Sequence, residues 1–154
     1  MKTTLIVIVA LVVLVASLLA ARSYLSRGNP PSLGADVDGA LKACADRPNC
    51  VSSQASDDAH RVDAFAYIGD RANTQARLSA ILAGMPRMHA VTQSDQYWHY
   101  TQTSALFRFI DDIEFFFDDA AGAVRLRSAS RIGYSDMGVN RKRIEGLRAE
   151  LQAP

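Results

Sequence analysis

The sequence lacks the short motifs that mark the common hydrolases and nucleotide-binding enzymes. It contains no Gly-x-Ser-x-Gly nucleophile motif, no glycine-rich phosphate-binding loop and no His-Glu-x-x-His pair. It has only three histidines, His60, His89 and His99, and they are too scattered to predict a metal site. The sequence therefore predicts no cofactor, no metal and no catalytic residue.

A large net charge of either sign is also absent. Seventeen Lys and Arg residues oppose 16 Asp and Glu residues, which leaves a formal charge of +1. A domain so close to neutral offers no general attraction to a polyanion, so we predict no nucleic-acid partner. The length of 154 residues leaves room for one globular domain.

One long apolar run is present, and it lies at the N-terminus. Leu5 to Ala21 is 17 residues without a charge, and a membrane-spanning helix needs ~17–25 such residues. Both an uncleaved signal anchor and a removed signal peptide fit this pattern. We favour the anchor because Leu19 occupies a position where cleavage needs a small residue. Residues 1–21 are thus predicted to be a transmembrane segment that contacts the membrane through residues 5–21.

Residues 22–40 are predicted to be a flexible tether, because consecutive prolines and several glycines resist packing. The folded domain is predicted to span residues 41–152. Near its start, Cys44 and Cys50 are close enough to form a disulfide, which persists only in an oxidising compartment. Two free buried thiols, or half of a metal site completed by His60, are the alternatives. The disulfide predicts a domain in the periplasm and an anchor in the bacterial inner membrane.

The spacing of apolar residues predicts an α+β domain. Helical spacing after Asp70 predicts one helix that ends near Met85, and similar spacing predicts a second helix that begins near Ser135 or Asp136. Strands are predicted from alternation over 88–92, 97–103, 106–117 and 123–130. We therefore expect two helices packed on a small antiparallel sheet of three to four strands, preceded by one transmembrane helix.

The third predicted strand carries an acidic cluster. Pairing Phe117 with Val124 places Asp112 and Glu114 opposite the arginines of the fourth strand. In a regular strand Asp111 falls on the apolar face. We expect a bulge at Asp111–Asp112 to reset the alternation, and the alternative is a buried, hydrogen-bonded carboxylate.

A basic block follows the acidic strand. Arginine is suited to bidentate binding of carboxylates and phosphates, and several of these cations fall in the first turns of a helix, where the dipole disfavours them. We predict that the block binds an anionic small molecule or an acidic protein surface; structural ion pairs with the acidic strand are the alternative. The candidate residues are Arg127, Ser128, Ser130, Arg131, Asn140, Arg141 and Arg143, facing Asp112 and Glu114.

Two further functions stay open beside a non-enzymatic binding module, which we favour. An acid/base hydrolase uses paired carboxylates, and Asp111, Asp112 and Glu114 offer such groups. Consecutive strand residues point to opposite faces of the sheet, however, which separates Asp111 from Asp112. A purely structural envelope protein needs no small-molecule site.

Three blocks of the chain, in this order, resemble the family called domain of unknown function 1499. They are the Cys44-x5-Cys50 turn that runs to Gln54, the stretch Leu106–Phe115, and the stretch Arg127–Asp136 that runs into Gly138-Val139-Asn140-Arg141. The resemblance covers about residues 41–151. It implies a single shared domain, often found behind an export or membrane segment, and it implies no catalytic residues because the family's activity is not established.

Overall fold

The computed structural model describes residues 2–26 and 31–153, and over these residues it contains three helices and six strands. In chain order they are α1 (Lys2–Ser26), β1 (Cys50–Ser52), β2 (Phe65–Ala66), α2 (Arg71–Gly84), β3 (Met88–Gln93), β4 (Tyr97–Thr103), β5 (Ile110–Asp118), β6 (Ala123–Ser130) and α3 (Val139–Gln152). The α+β prediction is confirmed.

Helix α1 is long and apolar enough to cross a membrane over Lys2–Ala21, with a mean hydropathy of 3.0. This assignment rests on length and composition, and a signal sequence near an N-terminus satisfies the same criteria. The coarse prediction of an N-terminal apolar helix is therefore confirmed.

The strands form one antiparallel sheet in the order β1-β6-β5-β4-β3, and β2 pairs with the start of β6. Phe117 lies opposite Val124 and Phe115 opposite Leu126, so the predicted register is correct. The sheet has six strands instead of three to four. Strands β1 and β2 escaped prediction because three and two residues are too few to show alternation.

Helices α2 and α3 cover one face of the sheet, which we call the helix face. Alternate residues of β5 and β6 point toward the helices, and the apolar ones among them are completely buried. The residues that form this core include Ile113, Phe115, Phe117, Val124 and Leu126 from the sheet, Leu78 and Leu82 from α2, and Ile144, Leu147 and Leu151 from α3.

The two helices begin differently. The Asp70 carboxylate accepts a hydrogen bond from the Asn73 amide at 2.8 Å, so the predicted start of α2 is correct. Helix α3 begins after Gly138, which is left-handed at φ 78°. Asp136 lies two residues earlier, yet its carboxylate accepts hydrogen bonds from the amides of Gly138 and Asn140. The start predicted at Ser135 or Asp136 is therefore too early, although Asp136 does satisfy first-turn amides.

Two details of the predicted third strand are wrong. Strand β5 begins at Ile110, because the four residues before it belong to a loop closed by Ser104, whose hydroxyl accepts the Phe109 amide at 2.9 Å. The expected bulge at Asp111–Asp112 is absent, since β5 pairs regularly with β4 and β6. Asp111 instead lies on the helix face as a buried carboxylate, because hydrogen-bonding partners are available to it there.

The chain that precedes β1 lies against the opposite face of the sheet, which we call the outer face. Leu41 is buried, and its amide donates to the Gln54 side chain at 2.8 Å. Gly39, at φ 74°, lies so close to the Phe116 ring that a Cβ would overlap it. Of the predicted tether, residues 27–30 lie outside the described residues, and the domain boundary at residue 41 stays a prediction.

The predicted disulfide between Cys44 and Cys50 is present. The disulfide closes the turn that leads from the segment before β1 into that strand. Cys50 is itself the first residue of β1. The turn is thereby fixed at one edge of the sheet, beside the end of β6.

We predict that Gly39→Ala lowers the free energy of unfolding by ~1–3 kcal/mol, because the methyl group meets the Phe116 ring and because φ is positive. Gly146→Ala is the matched control: it lies inside α3 with open space around it, so alanine should raise stability by up to ~1 kcal/mol. Urea unfolding of the full chain measures both values. Equal midpoints for Gly39→Ala and the wild type would contradict the packing of this segment.

Candidate functional site

The regular alternation of β5 divides its three carboxylates between two faces. Asp112 and Glu114 point to the outer face, and Asp111 points to the helix face. All three are buried, with exposed fractions of 8% or less. Buried carboxylates need partners, so each face carries its own polar network.

The network of the outer face contains two carboxylates and two guanidinium groups. Arg131 donates two hydrogen bonds of 2.8 Å to Asp112, one to each carboxylate oxygen. His99 lies 2.8 Å from the same carboxylate through Nε2. Burial alone would raise the pKa of Asp112, but the hydrogen bonds and charges of Arg131 and His99 outweigh it and hold that pKa below its usual value. Asp112 is therefore ionised and fully engaged.

Glu114 forms the second half of this network. Arg127 Nη1 donates to Glu114 Oε2 at 3.0 Å, and the Tyr97 hydroxyl donates to Oε1 at 2.8 Å. Burial and the neighbouring Glu114 charge raise the pKa of Tyr97, so the phenol keeps its proton for this bond. Glu114 is completely buried. The predicted facing of acidic and basic strands is thus realised as close ion pairs.

The network of the helix face is built around Asp111. Arg143 Nη2 donates to Asp111 at 2.5 Å, and Arg143 Nη1 donates to Ser128 at 2.9 Å and to Asn140 at 2.6 Å. The Ser130 hydroxyl donates to Asp111 at 2.6 Å. The network joins the first turns of α3 to β5 and β6, and Asp111 compensates the cation that the helix dipole disfavours there.

The structure therefore separates the seven predicted binding residues into three places. Ser128, Ser130, Asn140 and Arg143 belong to the network of the helix face. Arg141 lies apart on α3, where it donates at 2.7 Å to the carbonyls of Ala59 and Arg61. Arg127 and Arg131 remain together at a cavity, which Ser130 also lines although its hydroxyl bonds to Asp111.

That cavity is a cleft of about 330 Å³ between the outer face and the segment before β1. One wall carries Asp112, Arg127 and Arg131, and the other carries Lys42 and Arg47. Four cationic side chains thus surround one carboxylate that already has two partners. Sequence reasoning did not select Lys42 and Arg47, because they lie about 80 residues before β6 and have no spacing pattern that relates them to it.

A buried donor in the cleft wall has no acceptor. Arg127 Nε is shielded from solvent, yet no described residue accepts a hydrogen bond from it. A buried N–H group without an acceptor costs about 1–3 kcal/mol. A ligand oxygen in the cleft can satisfy this group only if the Arg127 side chain turns toward the cleft, because the group is closed to solvent in this structure.

A family model described as "Protein of unknown function (DUF1499)" matches residues 40–151. The chain belongs to the DUF1499 family. No curated protein and no solved structure matches it. The match confirms the resemblance seen in the sequence, and it covers the disulfide turn, both polar networks and all the residues that line the cleft except Pro31.

In this DUF1499 domain, the His60 side chain contacts the disulfide turn beside the cleft. Its Nε2 lies 3.0 Å from the Arg47 carbonyl, and its Nδ1 lies 2.8 Å from the Asp57 carboxylate. The bond to the Arg47 carbonyl, helped by Asp57, outweighs the effect of burial and raises the pKa of His60. The charged imidazole satisfies both acceptors at once, which a neutral ring cannot do.

We predict that Arg143→Met lowers the free energy of unfolding by ~3–5 kcal/mol, because it leaves the buried Asp111 carboxylate without its cation. Glu145→Ala provides the control, since it removes the exposed ion pair with Arg148 and should cost at most ~1 kcal/mol. Urea unfolding measures the difference. Similar costs for the two variants would show that Asp111 does not depend on Arg143.

We also predict that His60 makes stability depend on pH. Because the pKa of His60 is raised in the folded state, its contribution is complete below the unfolded value of about 6.5 and is lost as the pH rises through the folded value. The wild type should therefore lose more stability than His60→Gln between about pH 5.5 and about pH 8.5. Urea unfolding at the two pH values tests this, and identical losses would contradict it.

Proposed function

We propose that this protein is a non-enzymatic anion-binding module of the bacterial cell envelope. In this proposal, α1 anchors the chain in the inner membrane and the domain faces the periplasm. The cleft between the outer face and the segment before β1 holds a small ligand that bears a phosphate or carboxylate group. The observation that carries the proposal is a cleft lined by four cations and one carboxylate, in which Lys42 and Arg47 have no ion-pair partner among the described residues.

The charges in the cleft favour an anion. Asp112 is compensated by Arg131, and Arg127 is compensated by the Glu114 beneath it. Lys42 and Arg47 are exposed and form no ion pair with any described carboxylate, so their charges remain available to a ligand. Guanidinium groups and an ammonium group together suit the tetrahedral oxygens of phosphate and the paired oxygens of a carboxylate.

The shape of the cleft favours a small molecule over an acidic protein surface. Its volume of about 330 Å³ falls at the lower end of the range of about 300–1,000 Å³ that is usual for ligand pockets. A protein surface approaches a broad, shallow face more readily than a recess. We therefore place the small anion first and the acidic partner second.

Two independent features support this compartment. An apolar helix of this length spans a membrane or directs export, and the Cys44–Cys50 disulfide is stable only where thiols are oxidised. Leu19 disfavours cleavage of the helix. These features support a single-pass protein of the bacterial inner membrane with its domain in the periplasm.

A hydrolase that uses Asp112 or Glu114 receives less support. The low pKa of Asp112 keeps this carboxylate a weak base at neutral pH, and Arg131 and His99 occupy its lone pairs. Glu114 is completely buried under Arg127 and Tyr97. Asp111 lies on the other face of the sheet. The three carboxylates serve to position cations instead of presenting themselves to a substrate.

We predict that inorganic phosphate raises the Tm of the full chain at constant ionic strength, relative to chloride. At 100 times its Kd a ligand adds about 2.7 kcal/mol of stability, which shifts Tm by several degrees. The double variant Lys42→Ala/Arg47→Ala should lose this shift. The matched control Arg61→Ala, an exposed arginine outside the cleft, should keep it. Thermal unfolding in phosphate, sulfate and citrate provides the measurement.

A second variant tests the guanidinium of Arg127 in the cleft wall. Arg127→Lys keeps a cation beside Glu114 but removes the planar guanidinium, so it should weaken phosphate binding while the domain stays folded. If no anion raises Tm, the arginines are structural ion pairs, and a purely structural envelope protein becomes the better account. A shift that survives both cleft variants places the anion elsewhere.

A further inference from the structure

One end of the sheet carries both exposed apolar side chains and exposed cations. We call it the basic end, and it consists of the β4–β5 loop (residues 104–109), the β6–α3 loop (residues 131–138) and the α2–β3 connection (residues 85–87). These connections leave the sheet on the same side, because Thr103 pairs with Ile110, Asp111 with Ser130 and Met88 with Gln102.

The apolar side chains of the basic end are unusually exposed. Leu106 is 79% exposed, Tyr134 is 71% exposed and Met137 is 90% exposed. Elsewhere in the domain, apolar side chains of this size are mostly enclosed by the helices and the sheet. Large apolar groups that gather at one end of a domain mark an interaction surface, since exposure to water gains nothing for folding.

The charges of the domain are polarised along the same direction. The basic end presents the exposed cations Arg87 and Arg108, and Lys142 follows in the first turn of α3. The one carboxylate of its loops, Asp136, is bonded to backbone amides. The opposite end presents Asp95 in the β3–β4 turn and Asp119 in the β5–β6 turn, two carboxylates that share the single cation Arg71. Such a distribution attracts one end of the domain to an anionic surface and repels the other.

The length of the chain limits how far the basic end can lie from the membrane. The candidate span ends at Ala21, α1 ends at Ser26, and Pro31 already lines the cleft beside Arg131 and Asn49, at the basic end. A helix rises 1.5 Å per residue and an extended chain at most 3.6 Å, so Pro31 lies within about 25 Å of the end of the span. A domain of this size is about 35 Å across. An inverted domain, with its opposite end on the bilayer, would need a longer connection and is therefore disfavoured.

We propose that the basic end rests on the membrane surface and binds anionic phospholipids. Leu106, Tyr134 and Met137 enter the interface between headgroups and acyl chains, where tyrosine is favoured. Arg87, Arg108 and Lys142 contact the lipid phosphates. This contact is additional to the anchor α1 and needs no ligand in the cleft. It orients the domain so that its acidic end points away from the membrane.

The depth of Leu106 tests this orientation directly. The full chain is placed in lipid nanodiscs whose phosphatidylglycerol and phosphatidylcholine carry brominated acyl chains, which quench indole fluorescence at short range. Leu106→Trp adds an indole at the basic end, and Ala120→Trp adds one in the β5–β6 turn at the opposite end; both positions are exposed. The buried Trp98, measured in the wild type, gives the background.

The added indole of Leu106→Trp should be blue-shifted and quenched by the brominated lipids, whereas that of Ala120→Trp should show only the quenching of the background. Quenching of Leu106→Trp should weaken in pure phosphatidylcholine and when Lys142→Glu is added. Equal quenching at both positions, or none at either, would overturn the proposal. Tyr134→Trp repeats the test from the second loop. Since no free anion is present, a failure here is distinct from a failure of the cleft proposal.

Discussion

The ion pairing of β5 with arginines that follow it in the chain is the constraint on which the rest of the domain depends. Three carboxylates stand within four residues of a strand that is buried on both faces. Each needs a cation, and the cations come from three places: Arg127 within β6, Arg131 just after β6, and Arg143 in α3. Removing the cation from a buried carboxylate lowers the free energy of unfolding far more than removing the cation from an exposed carboxylate.

These pairs set the relative positions of parts of the fold that hydrophobic packing alone does not determine. Asp112 with Arg131 fixes the direction in which the chain leaves β6, and Asp111 with Arg143 fixes the first turns of α3 against the sheet. The pairs of Asp112 with Arg131 and of Glu114 with Arg127 also shape the cleft, because they hold two guanidinium groups in one of its walls. What remains for a ligand is the pair Lys42 and Arg47 across the cleft, facing these two guanidinium groups.

Much of the fold was predictable because its signals are local. The cap of α2 at Asp70, the β3–β4 hairpin and the register of Phe117 with Val124 follow from periodicity and turn chemistry. Strands β1 and β2 were missed because their formation depends on pairing with β6. The sequence alone also favoured a bulge at Asp111, since nothing local to β5 shows that Arg143, 32 residues later, supplies a cation on the helix face.

The site was predictable only in part, for a related reason. A continuous basic block suggested one cluster, but strand alternation and the turn into α3 send neighbouring arginines to different faces, so Arg127 and Arg131 part from Arg141 and Arg143. The opposite wall comes from the segment before β1, which the disulfide and the Gly39–Phe116 contact hold over the outer face. The segment before β1 therefore supplies Lys42 and Arg47 to the cleft only through tertiary structure, which no local sequence pattern shows.

The cleft is proposed to hold an anion between the cations of its two walls. A crystal structure of the protein grown in phosphate tests this most directly. We expect a phosphate in the cleft, with oxygens about 2.7–2.9 Å from the guanidinium of Arg127 and with Lys42 and Arg47 turned toward the same ion. A cleft without phosphate, or a phosphate bound away from Lys42 and Arg47, would contradict it.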